Sequence, residues 1–258
     1  MFKIKSPIYI LTAVCALAVV AALTVFISVD PAKRADADKN REIKKIYKEN
    51  NIGVEKDGND KAGGEVKSAK NLPEINAGDH VWGDLQNPVK MIIYSDFECP
   101  FCSKFSKTMD QVKSDYGGKI VIAFRHRPLP FHSAALPAAS ASECAAEQDK
   151  FWEMHDKLFE DSGENNLSSE EFKKDAGEIG LNMEQFNQCL SSEKYKDKIL
   201  NQSKAGEPAG ARGTPTFFVN SEIYPGAYPF EDFKGSDGKT REGVKSIIER
   251  HLKSGIDQ

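Results

Sequence analysis

The run Val89-Lys90-Met91-Ile92-Ile93-Tyr94-Ser95-Asp96-Phe97-Glu98-Cys99-Pro100-Phe101-Cys102 decides the fold. Its first seven residues are mostly apolar and are bounded by Pro88 and Asp96, the pattern of a buried strand. A Cys-x-x-C pair follows at once. Pro100 suits the first turn of a helix, where its missing N–H costs nothing. Phe105, Met109, Val112 and Tyr116 then recur at helical spacing, and Gly117-Gly118 ends the stripe. A second apolar strand runs from Lys119 to Phe124. Strand, helix and strand in that order make a βαβ unit, with parallel strands and a right-handed crossover.

The place of the cysteine pair gives it chemistry. Cys99 is expected where the strand hands over to the helix, so its sulfur meets unsatisfied N–H groups and the positive end of the helix. Such a position favours the thiolate, the form that attacks disulfides. Cys102 lies one turn on, spaced to close a disulfide with Cys99. The pair alone also suits half of a zinc site in an interaction module. That reading needs two further ligands at matching spacing, and no second Cys-x-x-Cys exists.

Beyond the second strand the pattern turns helical. Ala134, Ala138, Ala141 and Ala145 form a small-residue stripe, and Phe151, Met154 and Leu158 continue a helical period. Ser168-Ser169-Glu170-Glu171 is a capping box leading into Phe172, Ala176 and Ile179, and Gly180 stops that helix. Asn182 is placed to cap the next helix, which carries Phe186 and Leu190. Tyr195, Ile199 and Gly206 mark one more helix and its stop. The β pattern returns at Thr216-Phe217-Phe218-Val219 and Ile223-Tyr224. Val244, Ile247, Ile248 and His251 mark a last amphipathic helix. Cys144 and Cys189 fall on separate helices of the block. They are either two buried thiols or a structural disulfide. An oxidising compartment favours the bridge, whose 45-residue separation corresponds to about 4 kcal/mol at most in the chain-entropy picture.

Four stretches together resemble the DsbA-like branch of the thioredoxin superfamily. They are Tyr94 to Cys102, Arg125-His126-Arg127-Pro128-Leu129-Pro130-Phe131-His132, Phe151-Trp152-Glu153-Met154-His155-Asp156-Lys157-Leu158-Phe159, and Gly213-Thr214-Pro215-Thr216-Phe217-Phe218-Val219-Asn220. The resemblance covers roughly residues 77–254. It implies an α/β thioredoxin fold with an inserted helical domain, at about 132–208, and thiol–disulfide oxidoreductase activity on secreted proteins. It makes Cys99 the nucleophile, Cys102 the resolving cysteine and Pro215 a cis-proline lying against them. Thr214, Pro100 and Phe101 become substrate-contacting residues, since backbone beside that proline can pair with an extended peptide. Phe101 stands where the best-known DsbA proteins have histidine. Phenylalanine neither donates a hydrogen bond nor carries charge to a thiolate. Together with Thr214, that leaves the direction open between a disulfide donor and a reductase or isomerase with the same site. Among neighbouring polar groups, Glu98 is the candidate for a proton relay, with Asp96 beside it. His126 and His132, which flank a proline-rich turn, are read as structural residues, and Trp152 as core.

The rest of the chain sets the context. With 258 residues it is long enough to bury a real core without metals or disulfides. Its 35 basic and 39 acidic residues give a net charge of −4, which excludes the basic surplus of a nucleic-acid binder. Ile8 to Val29 is a run of 22 uncharged residues preceded by Lys3 and Lys5. As a helix it would be about 33 Å long, enough to span a bilayer core of about 30 Å. A cleaved signal peptide would have a shorter apolar run ending in a small-x-small site. The expectation is therefore a membrane anchor over 1–30, a charged, flexible linker over 31–72 and a catalytic domain over 73–258, held outside the cytoplasm. A short helix over 37–49 is expected within the linker. The expected partners are unfolded or reduced secreted proteins, a membrane or soluble redox partner that resets the site, and the membrane itself. No cofactor, metal or nucleic acid is expected.

Overall fold

The computed structural model describes residues 31–50, 52, 67–235 and 237–254. It divides into two compact units, 1–45 and 46–258. Helix α1 is Pro31–Glu49, and β1 is Lys67–Ser68. Then come β2 (His80–Gly83), β3 (Val89–Ser95), α2 (Pro100–Tyr116) and β4 (Ile120–His126). Five helices follow: α3 (Ala135–Ala146), α4 (Phe151–Glu164), α5 (Ser169–Glu178), α6 (Met183–Ser192) and α7 (Lys196–Ala205). The chain closes with β5 (Thr216–Val219), β6 (Glu222–Pro225), a small pair β7 (Phe233–Lys234) and β8 (Thr240–Arg241), and α8 (Val244–Ser254).

The main sheet has the order β1-β6-β5-β3-β4-β2. β3 and β4 pair in parallel, with Met91 opposite Ile122 and Ile93 opposite Phe124. The βαβ reading therefore holds. β5 runs antiparallel to β3, placing Thr216 opposite Tyr94. The central strands are buried on both faces, which is why they read as continuous apolar runs. One core lies between the sheet, α2 and α8, where Phe105, Met109, Val112, Ile247 and Ile248 meet Phe217 and Tyr224. A second core joins the inserted helices to the start of α2 through Phe97, Cys102, Phe124, Phe151, Leu158, Phe172 and Phe186. The site cysteines sit at this junction.

Local signals explain the insertion's helices. Ser168 accepts a hydrogen bond from the Glu171 amide at 3.2 Å, and Asn182 accepts one from the Gln185 amide at 3.1 Å. Gly180 has φ +79°, the left-handed turn that separates α5 from α6 at least cost to glycine. Ala138, Ala141 and Ala145 are fully buried, letting α3 approach its neighbours closely.

Three differences from the sequence reading have physical reasons. The helix expected at 37–49 begins at Pro31, because proline fits a helix start and good helix formers follow it. The far end of the stretch read as a linker pairs as β1, with Lys67 opposite Ile223. β4 continues two residues past Phe124, because Arg125 and His126 find buried partners instead of ending the strand. Within 46–258, Tyr47 donates to the Pro128 carbonyl at 2.7 Å. The apolar run Ile8–Val29 lies outside the described residues. Among the described residues no helix is long and apolar enough to cross a membrane.

Candidate active site

Cys99 is the residue immediately before α2, with extended backbone, and Pro100 opens the helix. The Cys99 carbonyl accepts from the Cys102 amide at 2.9 Å and from the Ser103 amide at 3.1 Å. Both cysteines are free and buried. Across the sheet, Thr214 and Pro215 are joined by a cis peptide bond. The Cys99 thiol donates to the Thr214 carbonyl at 3.4 Å. The structure thus brings Cys99, Cys102, Thr214 and Pro215 together.

The two thiols are tuned in opposite directions. The Cys99 thiol is pulled down to about 7, chiefly by a hydrogen bond from Cys102, against the cost of burial and the Asp96 charge. The Cys102 backbone amide and the Thr214 hydroxyl assist. That hydroxyl is buried and has no hydrogen-bond partner among the described residues of the dithiol form. It is therefore free to serve the thiolate. Cys102 is pushed well up, first by burial and then by its bond to Cys99 and by the charges of Cys99 and Asp96. At neutral pH one sulfur is poised to attack and the other keeps its proton.

Asp96 organises the surrounding loops. Its Oδ1 accepts from the Glu98 amide at 2.8 Å. Its Oδ2 accepts from the Leu129 amide at 2.7 Å and faces His132 Nδ1 at 2.7 Å. Burial works against charge on His132, but the bond to Asp96 outweighs it and raises the pKa.

Glu98, read from the sequence as a proton relay, is placed elsewhere. Its Oε2 accepts from the backbone amides of Ala134 and Ala135, at 2.5 and 3.1 Å. It therefore closes the N-terminus of α3, where a carboxylate meets unsatisfied donors. The carboxylate whose charge both cysteines feel is Asp96. Sequence reading missed this division. The signal available was position: Asp96 immediately follows the strand and so stays inside.

Phe101 is 40% exposed and Phe131 is 51% exposed, two large apolar side chains left open to solvent. Pro100 is exposed beside Phe101. Phe131 belongs to the loop that His132 ties to Asp96. His126, on the near side of the proline-rich turn, is the last residue of β4 and is buried against Glu143. Trp152 is half-buried and donates to the Val81 carbonyl at 3.3 Å. Cys144 and Cys189 form a disulfide with Cα atoms 5.7 Å apart, linking α3 to α6. Cys99 and Cys102 belong to none of the clusters of metal-ligating side chains among the described residues.

Comparisons with known proteins agree with this fold. The sequence profile described as thioredoxin matches residues 76–236. The crystal structure of alpha-DsbA1 from Wolbachia pipientis superposes with a TM-score of 0.55 at 26% identity, over 72% of this chain and 95% of that one. The oxidised BdbD structure from Bacillus subtilis gives a TM-score of 0.58 at 23% identity, over 72% and 98%, a likeness of fold. Among curated sequences, the Na(+)/H(+) antiporter NhaA 1 of Mycolicibacterium vanbaalenii is 36% identical over 153 residues, 58% of this chain. The match takes in only 24% of that protein, so the chain spans about a quarter of the curated relatives it matches.

Proposed function

The chain belongs to the thioredoxin family, as a DsbA-like member, and from that membership we propose that it exchanges disulfides with other proteins through Cys99 and Cys102. The observation that carries the proposal is the opposite tuning of two adjacent sulfurs, one lowered to about 7 and the other raised.

In the donor direction, a substrate thiolate attacks Cys99 Sγ of the Cys99–Cys102 disulfide. The bond between the two cysteines breaks, and Cys102 leaves as a thiolate and takes up a proton. A second substrate thiolate then attacks the substrate sulfur of the mixed disulfide, and Cys99 leaves. Cys99 is the better final leaving group because its thiolate is stabilised. The reverse order reduces a substrate with the same residues. The lowered thiol favours the donor direction, since stabilising the reduced form makes the disulfide more oxidising. Phe101 supplies no hydrogen bond to the thiolate. The donor reading therefore rests on the Cys102 thiol and backbone amide and on Thr214.

Pro100 and Phe101, next to Cys99 in the chain, give an incoming unfolded chain exposed apolar surface, and Phe131 adds more on the loop that His132 ties to Asp96. The Thr214 backbone next to Pro215 lies where an extended peptide can pair. These features support reduced or unfolded secreted and cell-envelope proteins as substrates, with a separate redox partner resetting the disulfide. The run Ile8–Val29 supports a single-pass anchor with the catalytic domain outside the cytoplasm, and the Cys144–Cys189 disulfide supports an oxidising compartment. Antiporter activity is a property of the longer relatives and is not carried over.

The equilibrium reduction potential in glutathione buffers tests the direction. A value above that of the glutathione pool supports the donor reading. A value well below it assigns the chain to reduction or isomerisation.

A further inference from the structure

Away from the cysteines, three side chains from three elements converge on one point. His80 lies on β2, His126 ends β4, and Glu143 reaches in from α3. His80 Nε2 and His126 Nε2 each stand 3.1 Å from the same oxygen, Glu143 Oε1. All three ligating atoms lie within 4.8 Å of one another. We propose that His80, His126 and Glu143 bind one divalent transition-metal ion of the zinc type, and that the ion clamps the helical insertion to the sheet.

Ligand spacing supports the site. Zinc takes nitrogen and oxygen ligands at about 2.0–2.2 Å, so tetrahedral neighbours stand about 3.3–3.5 Å apart. Two of the three separations here are already 3.1 Å, a few tenths short of that spacing. Two imidazoles with one carboxylate form an established donor set for zinc. The rings are also held in place. His80 stacks on Phe151 with centroids 3.6 Å apart, and His126 packs edge-on to Phe124 at 5.3 Å.

Lys198 occupies the cation's place. Its Nζ is 2.7 Å from Glu143 Oε2 and 3.5 Å from His80 Nε2. The arrangement sets His80 a conflicting demand. Nε2 must carry a proton to donate to the carboxylate and must lack one to accept from the ammonium. A metal ion removes the conflict, because both imidazoles and the carboxylate then offer lone pairs. Lys198 is 31% exposed on a flexible stem, so it can swing out and leave the fourth position to water.

Zinc titration by calorimetry tests the site. The full chain carries Cys99→Ser and Cys102→Ser, so that the site thiols bind no metal. One zinc per chain is expected. His80→Ala should weaken binding by about tenfold or more, while Lys198→Gln should tighten it by removing the competing cation. No saturable binding, or binding that both variants leave unchanged, overturns the proposal and leaves the cluster an ion-pair network. Circular dichroism checks that His80→Ala is folded. If it is not, the half-exposed Lys198→Gln decides, with unchanged affinity as the contrary result.

Discussion

Asp96 Oδ2 and His132 Nδ1 lie 2.7 Å apart, joining the segment that delivers Cys99 to the proline-rich loop that follows β4. The pair fixes both loops and sets the charge next to the reacting sulfur. Because the Asp96 bond raises the His132 pKa above its usual 6.5, the charged pair stabilises the fold fully below that value. That contribution is lost as pH rises through the raised folded-state value. His132→Ala should therefore cost more stability at pH near 6 than at pH near 8, measured by urea unfolding. An equal cost at both would mean that the imidazole is not charged in the fold. The same variant removes a cation and bares the Asp96 charge, so the Cys99 pKa should rise.

Asp96→Asn should act oppositely on the sulfur. Its charge raises the Cys99 pKa, so neutralising it should drop the value below about 7, read from the pH dependence of iodoacetamide labelling. The variant should also lose stability, because the Leu129 amide and His132 lose a charged acceptor. An unchanged labelling profile would remove Asp96 from the electrostatics of the site.

Glu98 separates helix capping from proton transfer. Removing its carboxylate in Glu98→Ala should cost about 1–2 kcal/mol of stability, the range for a partly buried carboxylate at a helix N-terminus. It should leave the ratio of Cys99 to Cys102 labelling nearly unchanged. A large change in resolution rate with no loss of stability would restore Glu98 as a proton relay.

Thr214→Val tests the unpartnered hydroxyl. A methyl group in place of Oγ1 keeps the volume and removes the donor that favours the thiolate, so the Cys99 pKa should rise above about 7. Labelling at fixed neutral pH should slow accordingly. Faster labelling would show that the hydroxyl does not serve the sulfur.

Much of this was legible in the sequence because the deciding signals are local. An apolar run, a Cys-x-x-Cys pair with proline inside it and a helical stripe over Phe105, Met109 and Val112 specify the βαβ unit without knowledge of the rest. Caps at Ser168 and Asn182 are read from residue type and spacing alone. The Thr214–Pro215 element came from resemblance, since nothing local says that residues 115 apart will touch. What stayed hidden depends on long-range pairing. The strand read from the sequence stops at Phe124, yet Arg125 continues it, buried because Asp79 meets its guanidinium at 2.7 and 2.8 Å. Glu98 reads as a candidate proton relay, and its contact with the start of α3 becomes visible only when the two segments fold together. His126 reads only as a structural residue flanking a turn, and its partner Glu143 comes from another element.

The central claim is the division of labour between Cys99 and Cys102, and trapping of mixed disulfides tests it most directly. The reduced full chain is incubated with unfolded substrate proteins that carry disulfides, so that Cys99 attacks a substrate sulfur and the other substrate sulfur leaves as a thiolate; the mixture is then quenched with acid and resolved on non-reducing gels. Cys102→Ser should accumulate covalent complexes that disappear with reductant, because Cys99 can still attack while nothing resolves the bond. Cys99→Ser should form none and should lose turnover. Complexes trapped through Cys102 in Cys99→Ser, or full activity in that variant, would contradict the account.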